Sequence, residues 1–139
     1  MRLKSISLIF ILTLALAACA PSTEPLPSEM EFGESASVES IELLQLESFP
    51  VQVNAVLRGN LPDGCTEIEH VEQNLRGNVF ELKVITRRPK DAMCTMALAP
   101  FEERVALEVN GLAAGEYTVR AGEQEASFRF DVDNILRSE

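Results

Sequence analysis

Apolar and polar residues alternate with a period of two through most of the chain after about residue 41, which indicates strands with one buried face. The clearest alternating runs are 51–57, 80–84, 105–109, 117–119 and 128–132. Gly, Pro, Asn and Asp, which favour turns, separate these runs. The segments 41–47 and 92–97 alternate less clearly, and the first is compatible with a strand or one helical turn. We therefore expect an all-β chain of about six or seven short antiparallel strands forming a β-sandwich.

A hairpin is expected around the turn signal at 76–78, and the parity of its strands predicts which side chains face the core. The predicted inward face carries Ile68, His70, Phe80, Leu82 and Val84. On the outward face, Glu69 is expected opposite Lys83, and Glu67 near Ile85 and diagonal to Arg87. This assignment treats His70 as a partly covered strand residue and not as a catalytic group.

The first eighteen residues have the pattern of a secretory signal peptide. Arg2 and Lys4 give a basic start, and the apolar run Ile6–Ala18 follows. This run is shorter than the roughly 20 residues that a membrane-spanning helix needs. We therefore expect residues 1–18 to direct export and not to form a permanent transmembrane anchor.

The run ends in Leu16-Ala17-Ala18-Cys19, which resembles the lipobox of bacterial lipoproteins over residues 1–21. The resemblance implies that the Cys19 thiol receives a diacylglycerol, that the chain is cut before Cys19, and that the new amino group is acylated with palmitate or a similar chain. The membrane is then a partner through the N-terminal lipid. The expected location is the cell membrane or outer membrane, with the protein exposed to the periplasm or exterior. Ala20 in place of Asp favours the outer membrane.

Residues 20–40 contain several Pro, Glu and Ser residues and no Lys or Arg. This composition is typical of a solvated linker. The sequence thus divides into a signal peptide at 1–18, the lipidated Cys19 with a flexible acidic linker at 19–40, and a β-sandwich domain at 41–139.

The segment Gly111–Val119 resembles the turn and strand GL-x-x-G-x-Y-x-V found near the end of immunoglobulin-like and fibronectin-type bacterial domains. The resemblance implies an immunoglobulin-like sandwich in which Tyr117 packs at a sheet corner, with its hydroxyl bonded to nearby backbone. A longer pattern, from Gly59 through Cys94 to Glu102, resembles small uncharacterised secreted domains of environmental bacteria over about residues 48–133.

The chain has three cysteines, and with Cys19 lipidated, Cys65 and Cys94 remain. Export places them in an oxidising compartment, where an even pair most simply forms a disulfide. The alternative, a reactive or metal-binding thiol pair, requires a Cys-x-x-Cys spacing or nearby His ligands, and the single His is His70. No metal site and no cofactor are expected.

The formal net charge is −10, which argues against nucleic-acid binding because that needs clustered positive charge. One basic cluster nevertheless stands out, formed by Lys83, Arg87, Arg88 and Lys90. The first interpretation is that these residues form cross-strand ion pairs that help to set the strand register. The alternative is a binding site for an anionic partner, such as an envelope protein or peptide.

The sequence contains no phosphate loop, dinucleotide fingerprint or nucleophile–base motif. We therefore expect no enzyme activity and nominate no catalytic residue. The favoured function is a lipid-anchored interaction or structural module of the bacterial cell envelope. The alternative is a binder of peptides or small molecules, for example a protease inhibitor, which uses the loops at one end of the sandwich.

Overall fold

The computed structural model describes residues 29–135, and over this range the chain forms eight strands and no helix. The strands are β1 (Met30–Gly33), β2 (Ser37–Gln45), β3 (Val53–Leu61), β4 (Glu67–Arg76), β5 (Val79–Pro89), β6 (Ala99–Ala106), β7 (Gly115–Ala121) and β8 (Gln124–Phe130). The all-β prediction is confirmed. The uncertain segment at 41–47 is mostly strand, and 92–97 belongs to a connecting loop.

The strands form one five-stranded and one three-stranded sheet. In the larger sheet β4 pairs along one side of β5, while β1 and β7 share its other side and β8 lies beyond β7. The smaller sheet has the order β2-β3-β6. The prediction of purely antiparallel pairing is wrong at one place, because β7 runs parallel to β5. The chain crosses to the smaller sheet as β6 before it returns, so β7 starts at the same end as β5.

The inner faces of the two sheets meet in a single apolar core. Its members include Val53, Ala55, Leu57, Phe80, Leu82, Val84, Val105, Tyr117, Val119, Phe128 and Phe130. Four of these are aromatic, and their contacting rings have centroids 5.3–6.3 Å apart. The Tyr117 hydroxyl donates to the carbonyl of Ala113 at 3.0 Å, so Tyr117 makes the expected corner contact.

The strand register of the β4–β5 hairpin differs from the predicted register. A β-bulge between Ile68 and His70 shifts the pairing, so that His70 lies opposite Ile85 and Val71 opposite Val84. One extra residue reverses the facing of every residue beyond it. His70 is therefore exposed, and Val71 packs against the core in its place.

The same bulge changes the predicted charge pairs. Glu72, and not Glu69, lies opposite Lys83, while Glu67 lies directly opposite Arg87. Phe80 and Leu82, two residues of the predicted inward face, are buried as expected.

Three boundaries also differ from the sequence-based predictions. Gly59, which is expected from its residue type to belong to the turn after the run 51–57, lies inside β3, where a Cβ would overlap the carbonyl oxygen of Ser37 on β2. Gly59 therefore allows β2 and β3 to approach each other closely and does not form a turn. Leu107 and Val109 are buried but follow the end of β6, and Val132 is exposed because β8 ends at Phe130.

The sandwich begins before residue 41, because β1 and the start of β2 fall within the segment predicted as a linker. A four-residue strand is too short to show an alternating pattern, and the partner strand supplies its hydrogen bonds. The predicted signal peptide and Cys19 lie outside the described residues. Within residues 29–135 no helix is long and apolar enough to cross a membrane.

Candidate functional site

One end of the sandwich, here called the disulfide end, brings together the loop 62–66 between β3 and β4, the loop 90–98 between β5 and β6, and the start of β1. Cys65 and Cys94 are joined by a disulfide, with their Cα atoms 5.5 Å apart. This confirms the predicted pairing. The Gly64 N–H also donates to the carbonyl of Thr95 at 3.1 Å, so covalent and hydrogen bonds hold the two loops together.

Asp63 is a neighbour of both cysteine sulfur atoms, and its carboxylate lies within 4.8 Å of them. Metal ligation by cysteine requires a thiolate. The two sulfur atoms are bonded to each other, so this group of three residues is not a metal-ligand set.

The four residues of the predicted basic cluster all face acidic side chains. The shortest nitrogen–oxygen distances are Lys83–Glu34 3.0 Å, Arg87–Glu67 3.0 Å, Arg87–Glu69 3.0 Å, Arg88–Asp63 3.0 Å and Lys90–Glu29 2.8 Å. Hydrogen bonds to Glu34 and Glu67 raise the pKa values of Lys83 and Arg87, respectively. Carboxylates of the domain itself therefore form ion pairs with all four cations.

Asp63 is the buried carboxylate of this end, with 6% of its surface exposed. Its Oδ1 accepts hydrogen bonds from the Cys65 N–H at 2.9 Å, and from the Thr66 N–H and hydroxyl at 2.8 and 2.9 Å. Its Oδ2 faces the Arg88 guanidinium at 3.0 Å. The bond from the Cys65 N–H, followed by those from Thr66 and the charge of Arg88, lowers the pKa of Asp63 against the opposing effect of burial.

Asp63→Asn is expected to destabilise the domain near neutral pH, and the deficit is expected to shrink in acid. A carboxyl whose pKa is lowered by folding contributes stability above its ordinary pKa of 3.8, and that contribution disappears as the pH falls through the folded pKa. The measurement is urea unfolding of both proteins between pH 7 and pH 2.5. A deficit that stays constant over this range would contradict the assignment.

A groove of about 320 Å³ lies beside the Asp63–Arg88 pair. Phe32 and Pro62 contribute apolar surface to it, and Thr86 contributes a hydroxyl that donates to the carbonyl of Gly33 at 2.9 Å. Phe32 is 60% exposed. The groove thus has an apolar wall and a charged pair whose members face each other.

The structure shows two features of this end that the sequence analysis did not single out. Asp63 is one of the turn-forming residues that separate the alternating runs, and an Asp three residues before a Thr is a known pattern for side-chain bonding to turn backbone. The segment 92–97 was predicted as a weakly alternating run, yet it lies in the loop 90–98, which exposes Met93, Met96 and Leu98. His70, for its part, lies outside the disulfide loops, with its Nε2 3.7 Å from Glu72.

Two sheets around one apolar core, with a disulfide between two loops at one end, define a small β-sandwich domain. The chain belongs to the ORF11 beta-sandwich domain family, whose model matches residues 55–131. The match begins within β3 and ends just after β8, so it covers the hairpin, the disulfide and the aromatic core.

Similar proteins occur in Herpetosiphon aurantiacus. The uncharacterized 10.2 kDa protein in the HgiCIIM 5' region is 40% identical over 82 residues, which cover 59% of this chain and 86% of that protein. The corresponding proteins in the HgiBIM and HgiEIM 5' regions are each 42% identical over 72 residues, which cover 52% of this chain and 87% of each relative. No solved structure matches the chain significantly.

Proposed function

We propose that this protein is a lipoprotein whose β-sandwich acts as a non-enzymatic interaction or structural module at the bacterial cell envelope. The observation that carries the proposal is Leu16-Ala17-Ala18-Cys19, placed directly after a basic start and an apolar run. In this proposal Cys19 is the first residue of the mature protein and carries the lipid. Two or more acyl chains give stable anchoring, whereas one gives only reversible binding.

Three observations support this proposal. The Cys65–Cys94 disulfide fits an exported protein, because disulfides persist in oxidising compartments. The carbonyl of Glu29, ten positions after Cys19, already accepts a hydrogen bond from the Lys90 N–H, so a short segment separates the proposed lipid from the folded domain. The ion pairs of the basic cluster support a structural role for it, because each cation already has a carboxylate partner within the domain.

Cys19→Ala is expected to abolish incorporation of labelled palmitate and to leave unprocessed precursor or released protein. The thiol of Cys19 is the proposed acceptor of the diacylglycerol, so its removal eliminates lipidation. The measurement is metabolic labelling followed by immunoprecipitation and fractionation of membranes. A Cys65→Ala/Cys94→Ala variant is the matched control, because it removes the other two thiols and should keep the label. Equal labelling of the wild type and Cys19→Ala would refute lipidation at this residue.

A second candidate function is binding of a peptide or small molecule at the disulfide end. The groove beside Phe32 and Arg88 favours it, because it combines exposed aromatic surface with a charged pair. A thermal-shift screen of the full-length protein against short peptides and metabolites tests this function. A shift that Phe32→Ser removes would support it, whereas shifts unaffected by that substitution would argue against this groove.

A further inference from the structure

The loop at the disulfide end contains a continuous uncharged segment, Ala92–Leu98. Three of its side chains are large and apolar, and all of them point into solvent. Met93 is 102% exposed, Met96 87% and Leu98 67%. Exposed apolar groups that cluster in this way mark interaction surfaces more often than scattered single residues do.

The backbone of this loop is held in place. Cys94 is bonded to Cys65, and the carbonyl of Thr95 accepts a hydrogen bond from Gly64. The two methionines flank these attachment points. The loop therefore presents its apolar side chains on a fixed backbone, and methionine suits such a surface because its side chain is unbranched and adaptable.

The path of the chain indicates what this loop faces. The Lys90 N–H donates to the carbonyl of Glu29 at 2.9 Å, and Met30 pairs with Pro89 at the end of β5. The segment that leads from Cys19 therefore joins the domain next to the base of the apolar loop. In a lipidated protein, the chain from the lipid therefore enters the domain at the end that carries the loop.

The length of that segment disfavours the opposite orientation. Ten residues span at most about 35 Å when fully extended, and the eleven-residue strand β5 is itself about 35 Å long. To bring the other end of the sandwich to the membrane, the segment from Cys19 would have to run fully extended along the whole domain. With the disulfide end facing the bilayer, the segment need not extend at all.

We infer that Met93, Met96 and Leu98 insert into the interfacial region of the bilayer that holds the lipid of Cys19, an inference that rests on the proposed function. The contact is apolar and not electrostatic, because the chain carries a net charge of −10 and the ammonium of Lys90, at the base of the loop, is paired with Glu29. The apolar faces of interfacial helices reach about 5–10 Å into the boundary between headgroups and acyl chains, and we expect a comparable depth for these side chains.

The chain lacks tryptophan, so the fluorescence of a single introduced tryptophan reports the environment of that position alone. The test uses the lipidated full-length protein with Met96→Trp, reconstituted into zwitterionic phosphatidylcholine vesicles whose acyl chains carry bromine near the headgroup. The matched control is Val132→Trp. Val132 is 63% exposed and lies at the other end, near Asn134, whose side chain bonds the backbone of Val51 and Val109.

Emission at position 96 is expected to fall at least about twofold in brominated vesicles relative to unbrominated ones, because the indole would enter the interface. Emission at position 132 should stay unchanged. No quenching at position 96 in protein that carries labelled palmitate would overturn this inference and leave the anchoring intact. Absence of the label itself would overturn both. Blue-shifted emission at position 96 that bromine does not quench would show that protein and not lipid surrounds the indole, which also overturns the inference.

Discussion

Leu82→Ala is expected to lower the free energy of unfolding by about 2–5 kcal/mol, the range for truncating a large buried side chain. Leu82 is 4% exposed and belongs to the core. It lies on β5, the central strand of the larger sheet, between Gln73 of β4 and Ala121 of β7. Neighbouring strands on both sides limit how far the structure can collapse into the cavity. Urea unfolding followed by circular dichroism measures the change.

Lys83→Ala is the control, because Lys83 is the next residue on the same strand and faces solvent. It loses an exposed ion pair with Glu34, and exposed pairs contribute little to stability. The effect of Lys83→Ala should therefore be clearly smaller than that of Leu82→Ala. A reversed order would mean that β5 presents its other face to the core, since a slip of one residue exchanges the two faces.

The inward faces of the strands could be predicted because burial on one side imposes an alternating pattern. Phe80, Leu82 and Val119 were identified in this way. The bulge at Glu69 could not be predicted, because an inserted residue changes parity without changing composition. His70 was consequently placed on the wrong face.

Contacts between residues that are distant in sequence could not be predicted either. Lys83 pairs with Glu34 and Lys90 with Glu29, which are 49 and 61 positions away. The composition of residues 20–40 shows an excess of acid, but it does not show that two of these acids pair with Lys83 and Lys90 of the basic cluster. The same contacts extend the sandwich back to β1. The parallel pairing of β5 with β7 likewise follows from the path of the chain and has no local signature.

The candidate site was predictable only in its cysteines. Once Cys19 is set aside, Cys65 and Cys94 are the remaining pair, and they flank one hairpin, so their pairing follows from counting and topology. The burial of Asp63 and the exposure of Met96 depend on how the two loops that connect the sheets, β3 to β4 and β5 to β6, pack against each other. The packing of these two loops is determined by the fold as a whole, so it could not be predicted from the sequence of either loop.

Cys65→Ala/Cys94→Ala is expected to lower the free energy of unfolding by about 3–4 kcal/mol, because the disulfide closes a loop with a sequence separation of 29 and restricts the unfolded chain. The double variant is the right comparison, since a single substitution would leave a free thiol. A domain of this size has a total stability of only about 5–15 kcal/mol, so the variant should unfold at clearly lower urea concentrations.

Addition of a reductant provides the control for this last prediction. It should destabilise the wild type by a similar amount and leave the double variant unchanged, because only the wild type has a disulfide to reduce. If the wild type and the double variant instead unfold at the same urea concentration, the disulfide contributes nothing net to stability. The hydrogen bond from Gly64 to Thr95 would then be sufficient to hold the two loops together, with the bonds that Asp63 accepts from Cys65 and Thr66 ordering the loop 62–66 itself.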